Sequence, residues 1–252
     1  MPVNPKANNI DEVLARLDTI IGDSYINNNP SGIFAYVYRR TTAQIKQAVQ
    51  NKEFEDNDGM ERFDVLFANK YLEAYDQYKN GTPCAAPWKV AFDACNEKHI
   101  ILQHILLGMN AHINYDLGIS ASEFASTNIQ GFKHDFMKVN DILNSLTDEL
   151  QMRLGRVSRL MFLLDWIGKR NDEASINFSM AKARGQAWNF AVNLAASSEA
   201  RKQAIRENTE LLTAELGQAV RKPPGKFVSF ILGLISSFEV KDIRKIIAKL
   251  ER

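Results

Sequence analysis

Along most of the chain the apolar residues recur at i, i+3, i+4 and i+7, the spacing that lines one face of an α-helix. Ile10, Val13, Leu14, Leu17, Ile20 and Ile21 form the first such stripe, with Gly22 as its expected stop. A second helix is expected over 32–52 behind Ser31. After the acidic stretch EFEDNDG, which ends at Gly59, a third runs from Met60 to Lys79 and stops at Asn80-Gly81. Pro83 and Pro87 bracket a short connection. Trp88 to Asp116 reads as a long helical region with a break near Asn96, and Ser120 to Glu123 as a capping box that opens another turn. Further helices are expected at about 132–153, 156–168, 173–195, 199–219, 226–237 and 240–250.

No run of four or more residues alternates with β-branched enrichment, and no period of 30–45 residues repeats. The expectation is an all-α multi-helix bundle of about nine or ten helices around a buried central helix near 98–117. The stretch from Arg221 to Gly225 (RKPPG) is the best linker candidate, but the roughly 27 residues after it are too few for a core of their own. One domain over 1–252 is therefore expected, with its core at about 30–219 and the helices of 226–252 docked on it.

Composition adds exclusions. The 252 residues carry 31 Lys+Arg against 30 Asp+Glu, 45% hydrophobic residues, 4 His and 2 Cys. That balance excludes a disulfide scaffold, a collagen-like chain and a disordered chain. A net charge of +1 gives no reason to expect a nucleic-acid partner. The evenness is an average: residues 52–76 hold 8 acidic and 3 basic side chains, and residues 221–252 hold 8 basic and 3 acidic. These read as solvated faces, as ends that pair, or as a basic tail that meets an acidic partner or membrane surface. The longest strongly apolar stretch, Phe227 to Phe238, is shorter than the ~20 residues a bilayer requires, so no transmembrane segment is expected. A buried helix is the preferred reading over an interfacial anchor. Met1 to Asn9 lacks an apolar signal core. Cys84 and Cys95 read as reduced thiols, and a cytoplasmic location is expected.

One segment departs from ordinary helix composition. From His99 to Gly118 an apolar run contains Gln103, His104, Asn110, His112, Asn114 and Asp116. Buried polar groups without partners cost about 1–3 kcal/mol each, so the fold or a ligand must supply partners. At 100° per residue, His104, Gly108, His112 and Asp116 form one ridge, while Gln103, Leu107, Asn110 and Asn114 lie on another face. His112 and Asp116 are one turn apart and can share a metal ion or a hydrogen bond. His104 lies about 12 Å from His112 along the axis. Gly108 leaves room for a close neighbour, either a helix backbone or a ligand. Three readings stand side by side. The first is a structural polar network. The second is a divalent metal site on His112 and Asp116, with Asp64 as the first candidate for a third ligand. The third is a metal-free acid–base site for a small molecule. In the site readings His104, His112 and Asp116 carry the chemistry, and Asn110, Asn114 and Arg184 hold the ligand.

The stretch LQHILLGMNAHINYDLGI resembles the signature of an uncharacterised, mainly bacterial family whose members share an Asn-Ala-His-Ile core in an all-helical chain of similar length. Further similar pieces are YRRTT around Arg39-Arg40, ERFDVLFANKYL from Glu61 to Leu72, Trp88 to Phe92, DFMKVNDIL from Asp135 to Leu143 and ARGQAW from Ala183 to Trp188. The resemblance covers roughly 30–195. It implies a fold class and candidate positions but no reaction, since the family has no established activity.

The remaining constellations are weaker. Asp64 and Tyr71 share a helix face and Asn69 points elsewhere, as solvated positions or additions to the central site. Asn140, Asn144 and Asp148 are a degenerate likeness to a magnesium-binding triad of class I terpene synthases, without its companion motif. Arg184 can stack on Trp188, pair with Asp165, or hold an anionic substrate. No GxGxxG or Walker loop, GxSxG elbow, HExxH, EF-hand or Glu-x-x-His pair occurs. The two function classes left are a small-molecule hydrolase or lyase and a non-catalytic binding protein with a structural network.

Overall fold

The computed structural model describes residues 4–158, 160 and 180–251. These residues form an all-helical bundle of eleven α-helices: α1 (Ile10–Asn27), α2 (Ser31–Gln50), α3 (Asn57–Lys79), α4 (Ala86–Ala94), α5 (Ile101–Ala111), α6 (Leu117–Phe124), α7 (Lys133–Val157), α8 (Met180–Ala195), α9 (Glu199–Arg221), α10 (Lys226–Phe238) and α11 (Ile243–Glu251). A π-helical turn, His112–Asp116, joins α5 directly to α6. Helix α7 runs on through Arg156 and Val157, where a new helix is expected; most of the helix expected over 156–168 and the start of that over 173–195 lie outside the described residues, as do Asp165 and the side chain of Asp148.

Several boundaries differ from expectation for identifiable reasons. Gly22 does not stop α1; a single interior glycine costs only about 1 kcal/mol. The helix ends at Asn28, which adopts φ 47° and bonds back to the Ser24 carbonyl. Helix α3 starts inside the acidic stretch because Asp56 caps it, accepting from Gly59 N at 2.8 Å. Ser120 to Glu123 opens no helix. The π turn feeds α6 without interruption, so these residues are interior, and Ser122 Oγ bonds the Ile119 carbonyl.

The amphipathic stripe of α1 meets α2, and α2 rests on α3 and α5. Helix α4 fills the angle between α5 and α9, while α8 lies along α6 and the π turn. Ile243, Ile246, Ile247 and Leu250 of α11 join the main core beside α7 and α2. A smaller cluster gathers Ile100 with Val228, Ile231 and Ile235 of α10. The expected central helix is observed as the α5–π–α6 run, wrapped by α2, α3, α4, α8 and α9. Two close approaches define its bed. A Cβ at Gly108 would lie 2.3 Å from Cγ of Phe34, and one at Gly118 would lie 2.9 Å from the Ala187 carbonyl. The close neighbour at Gly108 is thus an aromatic ring of α2.

Candidate functional site

The apolar flanks of the His112–Asp116 segment are buried, which draws its polar residues into the core. The π turn adds one residue to the helical turn, and the Leu117 N–H bonds the His112 carbonyl. His112 Nδ1 faces Asp116 Oδ2 at 3.5 Å, both groups being buried. The same Oδ2 accepts from Trp88 Nε1 at 2.8 Å. The imidazole is held by rings: Phe67 stacks on it with centroids 3.7 Å apart, and Tyr38 meets it edge-on at 4.3 Å. Burial pushes the His112 pKa down and the Asp116 pKa up, each opposed by the other's presence. His112 is therefore held toward its neutral form. With Nδ1 turned to Asp116, Nε2 is buried and unpartnered.

Other orphaned atoms lie on the helices that face this imidazole. They are Oδ2 of Asp64 and the Tyr71 hydroxyl on α3, with the hydroxyls of Tyr38 and Thr42 on α2 left only to each other. Tyr38 links the two sides of the group, because its ring abuts His112 and its phenol is held well above the usual range by burial and then by Asp64. Asp64 itself is pushed up to about 7, mainly by burial and further by Glu61. Asp64, Asn69 and Tyr71 are all buried and none is a solvated position; Asn69 bonds the backbone N–H and carbonyl of Ala7.

The metal set of His112, Asp116 and Asp64 does not come together. Among the described residues, three such groups with ligand atoms within 4.8 Å of one another occur at Glu55, His134 and Asp135. Asp116 is spent on Trp88 of α4 and on His112, and Asp64 Oδ2 on α3 is left without a partner. The carboxylate of Asp135 is already engaged, accepting from the backbone of Glu55 and Asp56. His104 is remote from the pair. It lies by His99, with ring centroids 5.9 Å apart, and burial drives its pKa down to about 3, with His99 and Lys241 adding to the effect.

The second polar face is a set of ties. Asn114 Nδ2 donates to Asn110 Oδ1, and Asn110 Nδ2 donates to the Thr213 carbonyl of α9, both at 2.9 Å. Gln103 Nε2 donates to the Val220 carbonyl at 2.8 Å. Arg184 is buried over the Phe136 ring, not the expected Trp188. It donates to Asn140 Oδ1 and the Phe136 carbonyl, and burial lowers its pKa to about 9. Asn140 is thereby used, and Asn144 is exposed.

Sequence reasoning passed over Tyr38, Thr42, Phe67 and Trp88. The signal present was the ridge Phe34–Tyr38–Thr42 on α2, whose polar tips run along an apolar face.

Residues 10–223 match the family model DUF5995, a family of unknown function. The chain belongs to DUF5995. The DUF5995 match includes every candidate residue named above and ends before α10. No curated protein and no solved structure matches the chain.

The clearest consequence of this geometry concerns Trp88. Trp88→Phe preserves an aromatic ring but removes the donor to Asp116, leaving that buried oxygen only the 3.5 Å approach of His112. The expected cost is about 1–3 kcal/mol, read from urea unfolding. An unchanged midpoint would show that the indole gives Asp116 no support.

Proposed function

We propose that this DUF5995 chain binds a small polar molecule between α2, α3 and the π turn and acts on it by proton transfer. His112 is the base through Nε2, held by Asp116 at its other nitrogen. Asp64, brought to about 7, exchanges a proton near neutral pH, where acid–base groups are most effective. The observation that carries this reading is a set of buried polar atoms: Asp64 Oδ2, the Tyr71 hydroxyl and His112 Nε2 have no partner, and the Tyr38 and Thr42 hydroxyls have only each other. Each unpaired atom costs about 1–3 kcal/mol, and three together weigh against a usual net stability of about 5–15 kcal/mol. A polar ligand supplies partners to all of them. Because the atoms lie beneath the surface, entry requires local opening of the aromatic layer.

The role of Asn110, Asn114 and Gln103 in this reading is structural, since they bond one another and α9. A divalent ion is no part of this reading, because the ligand atoms of His112, Asp116 and Asp64 do not gather within 4.8 Å of one another.

Native mass spectrometry of the chain incubated with a mixture of small polar metabolites tests the proposal. The expected result is a retained adduct that is lost in Tyr38→Phe and His112→Gln, with Tyr38→Phe unfolding at the wild-type denaturant concentration. No adduct, together with a Tyr38→Phe variant more stable than wild type, would overturn it. The phenol would then be a costly buried group in a purely structural core.

A further inference from the structure

Large apolar side chains exposed among the described residues are concentrated in one stretch. Apart from Ile26 they are Leu211, Leu212 and Leu216 of α9 and Phe227, Phe230 and Phe238 of α10. Helix α10 packs Val228, Ile231 and Ile235 against Ile100 in the smaller cluster. Its other side repeats Phe227, Phe230, Leu234 and Phe238 at i, i+3, i+7 and i+11, with Phe230 66% and Phe238 64% exposed. A surface helix ordinarily turns charges outward on that side. This one turns out phenylalanine.

The charges sit at its ends, and basic ones outnumber acidic ones. No Asp or Glu occurs between Leu216 and Phe238. Lys222 and Lys226 are exposed at the N-terminal end of α10, and Lys241 is exposed just past its C-terminal end. Glu239, the next acid along the chain, is turned inward and accepts from Ile101 N at 2.9 Å, and Glu97, which lies in the field of Lys222, is held by Arg221 Nε at 2.9 Å. Arg244 and Lys245 are exposed on α11, and the exposed Asp242 there accepts from the Lys245 backbone.

Protruding aromatic rings framed by lysines match a bilayer interface with anionic headgroups. Rings enter the headgroup–acyl boundary while ammonium groups stay at phosphate level. Thirteen residues are too few to cross a bilayer, and no described helix is long and apolar enough to do so, so the element would lie on the membrane. A two-fold contact between copies places the same patch on both sides, which sets these lysines against one another. Charge complementarity therefore favours the lipid surface.

We infer that α10 and its flanking lysines form a peripheral docking surface for an anionic membrane, with Phe230 and Phe238 as the inserting side chains. Helix α10 lies beyond residue 223, where the family match ends, and the surface does not depend on the proton-transfer reading.

Co-sedimentation of the full chain with vesicles tests it, comparing phosphatidylcholine alone with phosphatidylcholine mixed with phosphatidylserine. The chain should sediment with the anionic vesicles only, less so as salt is raised. Lys222→Glu/Lys226→Glu/Lys241→Glu should weaken binding by about a hundredfold or more. Phe230→Ser/Phe238→Ser should weaken it by about tenfold or more, with wild-type unfolding retained in both variants. Failure to sediment at low salt overturns the inference. So does binding that the phenylalanine variant leaves unchanged. Dimerisation abolished by Phe230→Ser, without vesicle binding, would assign the face to a second copy.

Discussion

Phe34→Ala is expected to destabilise the chain by about 3–5 kcal/mol, the usual cost of emptying a buried phenylalanine site. Phe34 touches four rings around the candidate site. Its centroid lies 5.9 Å from Tyr38, 5.2 Å from Tyr71, 5.6 Å from Trp88 and 5.9 Å from His112. It also fills the space left by Gly108, where a Cβ would come within 2.3 Å of Cγ. The ring is pinned from the other sides and cannot swing away. Gly108→Ala should therefore cost about 1–3 kcal/mol by overpacking. The two changes are not independent. With the Phe34 ring gone, the alanine methyl at 108 has room, so the double variant should be less destabilised than the sum by about 1–3 kcal/mol. Equilibrium unfolding in urea of the two single variants and the double variant measures this. Strict additivity would mean that Gly108 answers to the backbone of the neighbouring π turn and not to Phe34.

That coupling also marks the limit of what the sequence made legible. Apolar residues at helical spacing gave the all-helical class, since a period of 3.6 follows from backbone geometry alone. The His112–Asp116 pair and the shared face of Asp64 and Tyr71 were legible for the same reason, because they follow from spacing within one helix. Partners from other helices were not. Nothing in the spacing of α5 says that Trp88 reaches Asp116, that Phe67 stacks on His112, or that Phe34 occupies the notch at Gly108. The π turn was also hidden, since residues 112–116 have no composition that distinguishes them from α-helix. Asn110 and Asn114 show how the readings divide. Polar residues in an apolar helix look like ligand-binding groups until the carbonyls of a neighbouring helix account for them.

His104 and Asp64 should give the chain two large and opposing dependences on pH. His104 is held at about 3 in the fold against about 6.5 unfolded, and Asp64 at about 7 against about 3.8. Each difference amounts to about 4–5 kcal/mol. Below about 6.5 the unfolded chain binds a proton at His104 that the folded chain refuses, so stability falls as pH drops from 6.5 toward 3. Between about 3.8 and 7 the folded chain keeps a proton on Asp64 that the unfolded chain releases, so stability falls as pH rises through that window. In the overlap, about pH 4 to 6.5, the slopes are about +1.4 and −1.4 kcal/mol per pH unit and cancel. His112 and Asp116 are shifted in the same opposing directions. Single substitutions expose what the wild type conceals. Asp64→Asn should make stability climb from pH 4 to 6.5, and above pH 7 it should exceed wild type by several kcal/mol. His104→Leu should make stability fall from pH 4 to 7. Urea unfolding at unit steps of pH reads both slopes. Three superimposable profiles would mean that water reaches both side chains. Asp64 would then have an ordinary carboxylate's pKa and could not serve as the neutral-pH proton carrier assigned to it.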